Sequence, residues 1–321
     1  MSEEVGISYS DYYLPERFVS TYEFYSSLEN FVLPEGFEDL EAYCNNFYKQ
    51  RKIKGIYIND KKNEVDIFVD LISKFFEQTN VKPDEIDLII YTKTVQLGEN
   101  SVSIPYYMQK KFDMVSATVF NLEQTCGAAL TSMQVAESMI QSGRYRSALI
   151  LSSSMVKNIE KRDVKLTLIS DGAGLVYVEK KPKRFVIDDY LSHTTGSYTY
   201  SIDSFTKRGN YRELMKYLNN GAETIKQLIA QNQLTMDDIK VISPQNTTYS
   251  GWEIYAALLK VPMSKFYLDN IPRGAHIGDV DSIRNITDIY NEHLIEKEQY
   301  MIAYGIGWGT SWNALLLRGV K

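Results

Sequence analysis

Hydrophobic and polar positions along the chain predict helices and strands that alternate. Residues 71–94 place apolar side chains at helical spacing, followed by a short acidic connection and an apolar run of strand length. Residues 224–247 follow the same plan in the second half of the chain. The two segments match in residue type without a gap, since Val81, Asp84, Ile86, Leu88 and Ile89 correspond to Leu234, Asp237, Ile239, Val241 and Ile242.

This internal repeat continues through the rest of each half. Residues 117–129 and 264–276 each predict a second strand, and a further pair of apolar runs closes each half. Strands that alternate with helices predict α/β layers, and duplication predicts two such units about a pseudo-twofold axis. Charge and proline at residues 180–184 interrupt the apolar pattern, so we place the N-terminal half at residues 1–180 and the C-terminal half at 185–321.

Composition and charge narrow the class of protein. The 321 residues are 44% hydrophobic and carry a formal charge of −6, which is typical of a globular protein and argues against nucleic acid as the main partner. Two cysteines without a CxxC pair favour a reducing cytoplasm over a disulfide framework or a zinc site. The acidic start predicts no signal peptide, and no apolar stretch approaches the roughly 18 residues of a membrane-spanning helix.

Cys126 lies where a strand-like segment ends and a helix with apolar periodicity begins, and Gly127 and two alanines follow it. At a helix N-terminus the unpaired N–H groups and the macrodipole favour a negatively charged group such as a thiolate. The small residues leave room for a bulky thioester. The alternative interpretation is a buried cysteine that serves only as a small hydrophobic residue.

Two of the three histidines lie in different sequence contexts. His293 lies in a charged helical stretch and is predicted to be exposed, whereas His276 lies in a loop of small residues, with Asp279 and Asp281 after it. A histidine followed by a carboxylate fits a base and the group that orients it. A turn histidine with Asp281 as the N-cap of the next helix is the alternative, and both stay open at this point. These residues match metal-ligand spacing poorly, so we predict no metal site.

Gly305, Gly307 and Gly309 punctuate a turn after a buried strand. A dinucleotide-binding loop would require a following helix and an acidic partner for the ribose, and too little chain remains for both. We therefore predict a tight turn that brings the N–H of Ile306 toward the cleft. Together with the N–H of Cys126 it could form an oxyanion hole.

Several segments, taken in order, resemble the β-ketoacyl-acyl-carrier-protein synthase III group of the thiolase superfamily. They are residues 12–21, 82–94, 103–105, 121–130, 170–180 and 304–318, and the resemblance covers nearly the whole chain. It implies a thiolase fold with five αβαβα layers, a homodimer or a closely related heterodimer, and acyl transfer through a cysteine thioester. By motif, it makes Cys126 the nucleophile and the amides of Cys126 and Ile306 the oxyanion-hole donors.

The sequence departs from the usual family pattern at the residues that hold a malonyl thioester during decarboxylation. That pattern has a His after a Pro on a strand of the second half, but here Gln245 follows Pro244. It also has an Asn after a Gly in a later loop, and here that region contains His276. The arrangement is similar to a subgroup associated with polyketide starter units and with acyl transfer to acceptors other than malonyl.

In that subgroup a His and an Asp of the later loop serve the nucleophile, and a further His lines the pocket. His276 and Asp281 match the first two, and His193 matches the third. We also predict that Gln245 and Asn246 help to position the substrate.

The sequence thus predicts an acyltransferase that moves an acyl group from an acyl-CoA or acyl-carrier-protein thioester, through Cys126, to an O, N or carbon nucleophile in polyketide or other secondary metabolism. An incoming nucleophile must be deprotonated, and His276 can act as a base whereas Gln245 cannot. Two alternatives stay open: a decarboxylating condensing enzyme and a non-catalytic partner subunit of a heterodimeric synthase. No cofactor is predicted beyond the thioester substrate.

The donor is left open between coenzyme A and a carrier protein. The region of residues 40–60 lacks the Trp and Arg with which the family usually grips coenzyme A, although Arg51 or Lys52 could bind it. Most tyrosines are expected to pack in half-buried positions. Those that could line an acyl pocket are Tyr106, Tyr107, Tyr200 and Tyr249.

Overall fold

The computed structural model describes residues 3–93, 103–197, 211–307 and 311–321. Its strands are β1 (Val5–Tyr13), β2 (Phe18–Ser20), β3 (Gly55–Tyr57), β4 (Leu88–Lys93), β5 (Thr118–Asn121), β6 (Ser147–Ser154), β7 (Gly172–Lys180), β8 (Phe185–Thr194), β9 (Ile239–Pro244), β10 (Tyr300–Gly307) and β11 (Ser311–Gly319). Its α-helices are α1 (Thr21–Ser26), α2 (Leu40–Arg51), α3 (Glu64–Thr79), α4 (Ile104–Lys111), α5 (Ala128–Gln141), α6 (Tyr211–Gln231), α7 (Tyr249–Leu259) and α8 (Val280–Asn291).

The strands of the two halves follow equivalent orders in space. The main sheet runs β5-β4-β6-β7-β1 through the N-terminal half and β8-β11-β10-β9 through the C-terminal half, while β2 and β3 form a small separate sheet. β4 pairs in parallel with β5 and β6, and β9 pairs in parallel with β10. β1 and β8 join the halves through two antiparallel residue pairs, Gly6 with Val186 and Ile7 with Phe185.

Helices divide this sheet into five layers. α5 and α8 contact strands of both halves, so they lie between the two parts of the sheet. α3 covers β1 and β7 on the outside of the N-terminal half, and α6 covers β8 and β11 on the outside of the C-terminal half. The molecule therefore has the αβαβα architecture that the resemblance implies.

Alternation of side chains along the strands explains this layering. Leu88 and Ile90 of β4 pack in the central core together with Met133 of α5 and Ile283 of α8. Ile89, between them, points to the other face and packs in the core beneath α3. β6 is buried along its whole length, as expected for a strand that is covered on both faces.

Two features of the chain bear on the predicted organisation. The turn between β7 and β8 occupies residues 181–184, where the apolar pattern is interrupted. The second strand predicted for residues 264–276 is much shorter than expected, because only an isolated bridge joins Phe266 to Ile242. A 3-10 turn at Met263–Lys265 precedes the bridge, and the turn bond from Ile271 N–H to Leu268 C=O follows it, so no longer ladder forms. Across the described ranges, no helix combines the length and apolar character needed to cross a membrane.

Candidate active site

Cys126 lies in the turn that begins the central helix α5. A 3-10 turn at Thr125–Gly127 leads directly into the helix, and the cysteine side chain is partly exposed. Thr125, just before it, has a φ of +47°, a left-handed conformation that a β-branched residue adopts only under constraint. The strained turn places the thiol at the N-terminal end of α5, where the helix dipole favours a negative charge.

The neighbouring backbone packs tightly against this turn. A Cβ on Gly307 of β10 would lie 2.8 Å from the carbonyl oxygen of Gln124 and 2.9 Å from Oγ1 of Thr125. A Cβ on Gly127 would lie 2.3 Å from Nδ2 of Asn313. A side chain at Gly307 would collide with backbone, and one at Gly127 would force the Asn313 side chain to move, so both glycines allow the cysteine turn to approach the end of β10 closely.

His276 and Asp281 complete a contiguous group with Cys126. Nε2 of His276 lies 3.3 Å from Sγ of Cys126, and Nδ1 lies 2.5 Å from Oδ2 of Asp281. His276 is 5% exposed and Asp281 is fully buried. This is the order of contacts expected of a nucleophile, a base and the carboxylate that orients the base.

The two aspartates of the loop have different partners. Asp281 lies in the first turn of α8 and accepts hydrogen bonds from the N–H of Ile277 at 2.9 Å and the N–H of Asn246 at 2.7 Å, besides its contact with His276. Asp279 precedes the helix and accepts a hydrogen bond from Oγ1 of Thr92. Asp281 is therefore the carboxylate that faces the imidazole, as the first interpretation of this loop predicts.

Charge and burial act against each other on His276. Burial lowers the pKa of the imidazole, but the Asp281 carboxylate and the charge on Cys126 outweigh this effect and raise the pKa of His276 to about 10. Both neighbours also hydrogen-bond the ring. The raised pKa favours the protonated form of the His276 ring.

Gln245 connects the turn that contains Cys126 to strand β10 through two hydrogen bonds. Its Nε2 donates to the carbonyl oxygen of Cys126, and its Oε1 accepts the N–H of Ile306 at 3.0 Å. The amide predicted as an oxyanion-hole donor thus has a side-chain partner within the protein. A thioester oxygen would have to share that N–H with Gln245 or displace it.

Asn246 differs from its predicted role beside the substrate. It is fully buried, and both its backbone N–H and its Nδ2 donate to Asp281, the latter at 3.2 Å. Its amide also exchanges 3.1 Å hydrogen bonds with that of Asn285 on α8. Asn246 is thus a support of Asp281. Asn285 is not predicted from the sequence, although a buried Asn at a core-facing position of an amphipathic helix is a detectable signal.

Two family models match the chain. The model described as 3-oxoacyl-[acyl-carrier-protein (ACP)] synthase III matches residues 120–196, and the model of the C-terminal part of the same enzyme matches residues 229–319. The chain belongs to this synthase III family. The first match contains Cys126, and the second contains His276 and Asp281.

Curated synthase III proteins are similar to the chain over most of its length. The β-ketoacyl-[acyl-carrier-protein] synthase III of Clostridium acetobutylicum is 25% identical over 288 residues, which is 84% of this chain and 88% of that protein. The corresponding protein of Clostridium kluyveri is 21% identical over 295 residues, covering 85% and 88%. A member of this family is an acyl-transferring or condensing enzyme.

Solved structures share the fold. The synthase III of Aquifex aeolicus has a TM-score of 0.81 at 17% identity and covers 98% of this chain and 99% of its own. The acyltransferase ChlB3 has a TM-score of 0.85 at 14% identity, covering 99% and 98%. The priming β-ketosynthase of the R1128 polyketide pathway has a TM-score of 0.78 at 15% identity, covering 100% and 98%.

His193, which the sequence predicts to line the pocket, lies near the end of β8. In β8 it stands opposite Trp312 of β11, with the two ring centres 6.2 Å apart, while its neighbour Ser192 stands opposite Asn313. Ser192 and Asn313 face α5, because their side chains contact Gln134 and Thr131 of that helix. The exposed His193 side chain therefore lies on the opposite face of the sheet, since successive residues alternate.

The residues predicted to contact the thioester donor or its acyl chain are distributed over several elements of the structure. Arg51 donates to the carbonyl of Lys165 and stacks on Phe47, and Nζ of Lys52 lies 6.0 Å from the ring centre of Tyr249. Tyr106 and Tyr107 are exposed on α4. Tyr200 and Gly309 lie outside the described residues. His293 is exposed after the end of α8, as predicted.

Proposed function

We propose that the protein is an acyltransferase that carries an acyl group on Cys126 between a thioester donor and a nucleophilic acceptor. The proposal rests on one observation: Cys126, His276 and Asp281 form an unbroken chain of contacts at 3.3 Å and 2.5 Å. The thiol is only partly buried, whereas His276 and Asp281, which would handle the proton, are buried. That division suits a site where substrate meets the sulfur and water is kept from the base.

In the first half-reaction the Cys126 thiolate attacks the thioester carbonyl carbon. The bond between that carbon and the donor sulfur breaks, and the donor leaves as a thiol with the proton of His276. In the second half-reaction His276 takes a proton from the acceptor, the acceptor attacks the Cys126 thioester, and the cysteine leaves as a thiolate. Atoms and charge balance over the two steps, and no cofactor takes part.

Acylation itself would prepare His276 for its second task. The charge on Cys126 is one of the two charges that raise the pKa of His276. A thioester at Cys126 carries no charge, so its formation removes this contribution and the ring releases its proton more easily. The neutral imidazole then accepts the proton of the acceptor, while Asp281 keeps the ring oriented.

The setting of Gln245 and Asn246 favours an acceptor other than a decarboxylating malonyl group. Decarboxylation develops an enolate, which needs positioned hydrogen-bond donors that are free to reach it. Both ends of the Gln245 amide are bound to backbone groups of Cys126 and Ile306. Asn246 is buried against Asp281. We propose O, N or stabilised carbon nucleophiles of polyketide or other secondary metabolism as acceptors.

The donor is proposed to be an acyl-CoA or an acyl carrier protein, and the protein is proposed to act as a homodimer or a paralogous heterodimer. The names of the curated relatives include the acyl carrier protein as a substrate group. The structural likeness to ChlB3 and to the R1128 priming enzyme is at 14% and 15% identity, so it supports the fold and only suggests this chemistry.

Intact-mass spectrometry after incubation with a series of acyl-CoAs and acyl carrier proteins tests the proposal. We expect an acyl adduct on the wild type and on Cys44→Ala, and none on Cys126→Ala. Cys44 is the matched control, because it is the other cysteine of the chain and is buried in α2. A wild type that stays unmodified with every donor would contradict the proposal and favour the non-catalytic subunit.

A decarboxylating condensing enzyme is the second candidate, since the similar curated proteins are named as β-ketoacyl synthases over most of this chain. Radiolabelled malonyl thioester separates the two. The acyltransferase proposal expects product without release of labelled CO₂. Release in step with product would establish the condensing reaction instead.

A further inference from the structure

The N-terminal half, which contains Cys126, also holds the backbone of His276 in place. His276 belongs to the C-terminal half, but its backbone pairs with residues 168–170 of the N-terminal half. The N–H of His276 donates to the carbonyl of Leu168 at 3.2 Å, and the N–H of Ser170 donates to the carbonyl of His276 at 2.8 Å. A parallel bridge between Ile169 and His276 results. We call residues 168–171 the latch segment.

Ser170 adds a side-chain contact to this pairing. Its Oγ donates to the carbonyl of Gly274 and accepts the N–H of Tyr57 at 2.9 Å. Ser170 is fully buried, so its hydroxyl has no access to water. One hydroxyl thus joins the loop that carries His276 to the β3 strand of the N-terminal half.

The loop in front of His276 needs such support. Gly274 has a φ of +139° and Ala275 has a φ of +51°, so a non-glycine residue immediately before the histidine is in the left-handed region. Such a conformation costs free energy and persists only where surrounding contacts hold it. The contacts of the latch segment to Gly274 and His276 lie on both sides of Ala275.

The latch segment is itself fixed within the N-terminal half. Asp171 forms a buried ion pair with Arg162 at 2.7 Å and also accepts the N–H of Asn59 at 2.7 Å and the N–H of Val156 at 2.8 Å. The second guanidinium nitrogen of Arg162 donates to the carbonyl of Ile169 at 3.1 Å. A buried carboxylate with this many partners cannot move without leaving several polar groups unpaired.

We propose that the latch segment sets the distance between Cys126 and His276, and that Ser170 is a positioning residue of the acyl-transfer site. Cys126 belongs to the same half as the latch segment. The N-terminal half therefore positions both the thiol of Cys126 and, through the latch segment, the imidazole of His276. The imidazole then meets the sulfur through Nε2 while Asp281 holds Nδ1. The inference rests on the proposed function, because it assigns the latch to the thiol and imidazole of that site.

Alkylation of Cys126 by iodoacetamide tests the inference without an acyl donor. Rates are measured by peptide mass mapping from pH 5 to pH 9 in a Cys44→Ala background, for Ser170→Ala and for His276→Ala. Among the described residues, Asp281 and Cys126 are the groups whose charges act on His276, so the pH profile of the alkylation rate reports on this cluster. We expect Ser170→Ala to lower the rate at pH 7 by about 10-fold to 100-fold, as a displaced reactive group does, and to move the profile toward that of His276→Ala.

Ser147→Ala is the matched control. Ser147 is a buried serine at the start of β6, and its hydroxyl likewise donates to a backbone carbonyl, that of Glu85 at 2.6 Å, and accepts a backbone N–H, that of Asp87. Its removal should lower the melting temperature about as much as that of Ser170 and leave the alkylation profile unchanged. Ser170→Thr keeps the hydroxyl and should recover most of the rate.

The outcomes separate the inference from the proposed function. If wild type and His276→Ala have the same profile, the thiol and imidazole do not act together and the proposed function fails. If they differ but Ser170→Ala follows the wild type, the inference alone is overturned. Equal losses in Ser170→Ala and Ser147→Ala would also overturn it, because general destabilisation would then explain both. If Ser170→Ala does not fold, Ser170→Thr decides, and a profile like that of His276→Ala would contradict the inference.

Discussion

The cysteine turn and the histidine loop occupy equivalent places in the two halves, yet they are built differently. In the N-terminal half, β5 leads through the short turn at Thr125–Gly127 into α5. In the C-terminal half, the matching strand is a single bridge at Phe266, and a longer loop precedes α8. The shorter connection places Cys126 at the start of a helix. The longer loop allows His276 to contact the N-terminal half.

The difference extends to what each group depends on. Cys126 lies in a 3-10 turn of its own segment, and Gly307 and Gln245 of the other half contact that turn. His276 is positioned by Leu168 and Ser170, more than a hundred residues earlier in the chain. Duplication therefore brings the two groups to one cleft, where the nucleophile lies in a helix-start turn of its own segment and the backbone of the base pairs with the opposite half.

The largest expected effect comes from removing the base. We expect His276→Ala to slow acyl transfer by about a thousandfold, within the usual contribution of a general base. Cys126 should still form an acyl adduct in this variant, but slowly. Single-turnover mass spectrometry gives both rates, and His293→Ala, which changes an exposed histidine at the end of α8, should match the wild type. Full activity of His276→Ala would show that the two regions do not cooperate.

Asp281→Asn sharpens the comparison through its dependence on pH. The pKa of His276 is raised in the folded protein from 6.5 to about 10, so its stabilising contribution is complete below about pH 6.5 and is lost as the pH rises toward 10. Without the carboxylate this decline should become shallower. We also expect a loss of about 3 kcal/mol in the free energy of unfolding at neutral pH, as for removal of one partner of a buried ion pair.

Urea unfolding between pH 6 and pH 10 measures both quantities. The conclusion to be drawn depends on the slope, because many variants are less stable at every pH. If the stability of Asp281→Asn falls with pH as steeply as that of the wild type, another group is responsible, and the proposed pairing of His276 with Asp281 is not the source of the raised pKa.

The smallest effect concerns the packing of the cysteine turn. A Cβ on Gly307 would lie 2.3 Å from Oγ of Ser311 and 2.8 Å from the carbonyl of Gln124, whereas a Cβ on Gly305 would lie 3.1 Å from Cδ1 of Leu130. We expect Gly307→Ala to cost about 1–3 kcal/mol and Gly305→Ala to cost less, because only the first forces backbone to move. Thermal unfolding and the rate of Cys126 acylation should both rank the two variants in this order.

The sequence predicts those parts of the site that depend on local pattern. The alternating helices and strands, the place of Cys126 before α5 and the repeat that faces it with His276 follow from residue type and spacing along short segments. The two halves have equivalent strand orders for the same reason. Family landmarks add the five-layer architecture, which periodicity alone does not specify.

Residue type and spacing along short segments do not predict hydrogen bonds between segments that are distant in the chain. Gln245 and Asn246 are adjacent, yet Gln245 bonds to Ile306 and Asn246 to Asp281, because successive side chains at a strand end point in different directions. His193 and its neighbour Ser192 lie on opposite faces of β8 for the same reason. From the sequence alone, Ser170 could equally lie in a surface turn. Its contact with the carbonyl of Gly274 is visible only in the folded structure. These contacts depend on register and loop path, which are tertiary properties.

The separation of 150 residues between Cys126 and His276 has a consequence for the newly made chain. At a synthesis rate of about 5–20 residues per second, the thiol leaves the ribosome roughly 8–30 seconds before the imidazole. For most of that interval the latch segment already exists, but the backbone of the His276 loop that it pairs with does not. The cysteine therefore gains its partner base only after most of the second half has been translated, so the sulfur stays without that base until both halves of the cleft exist.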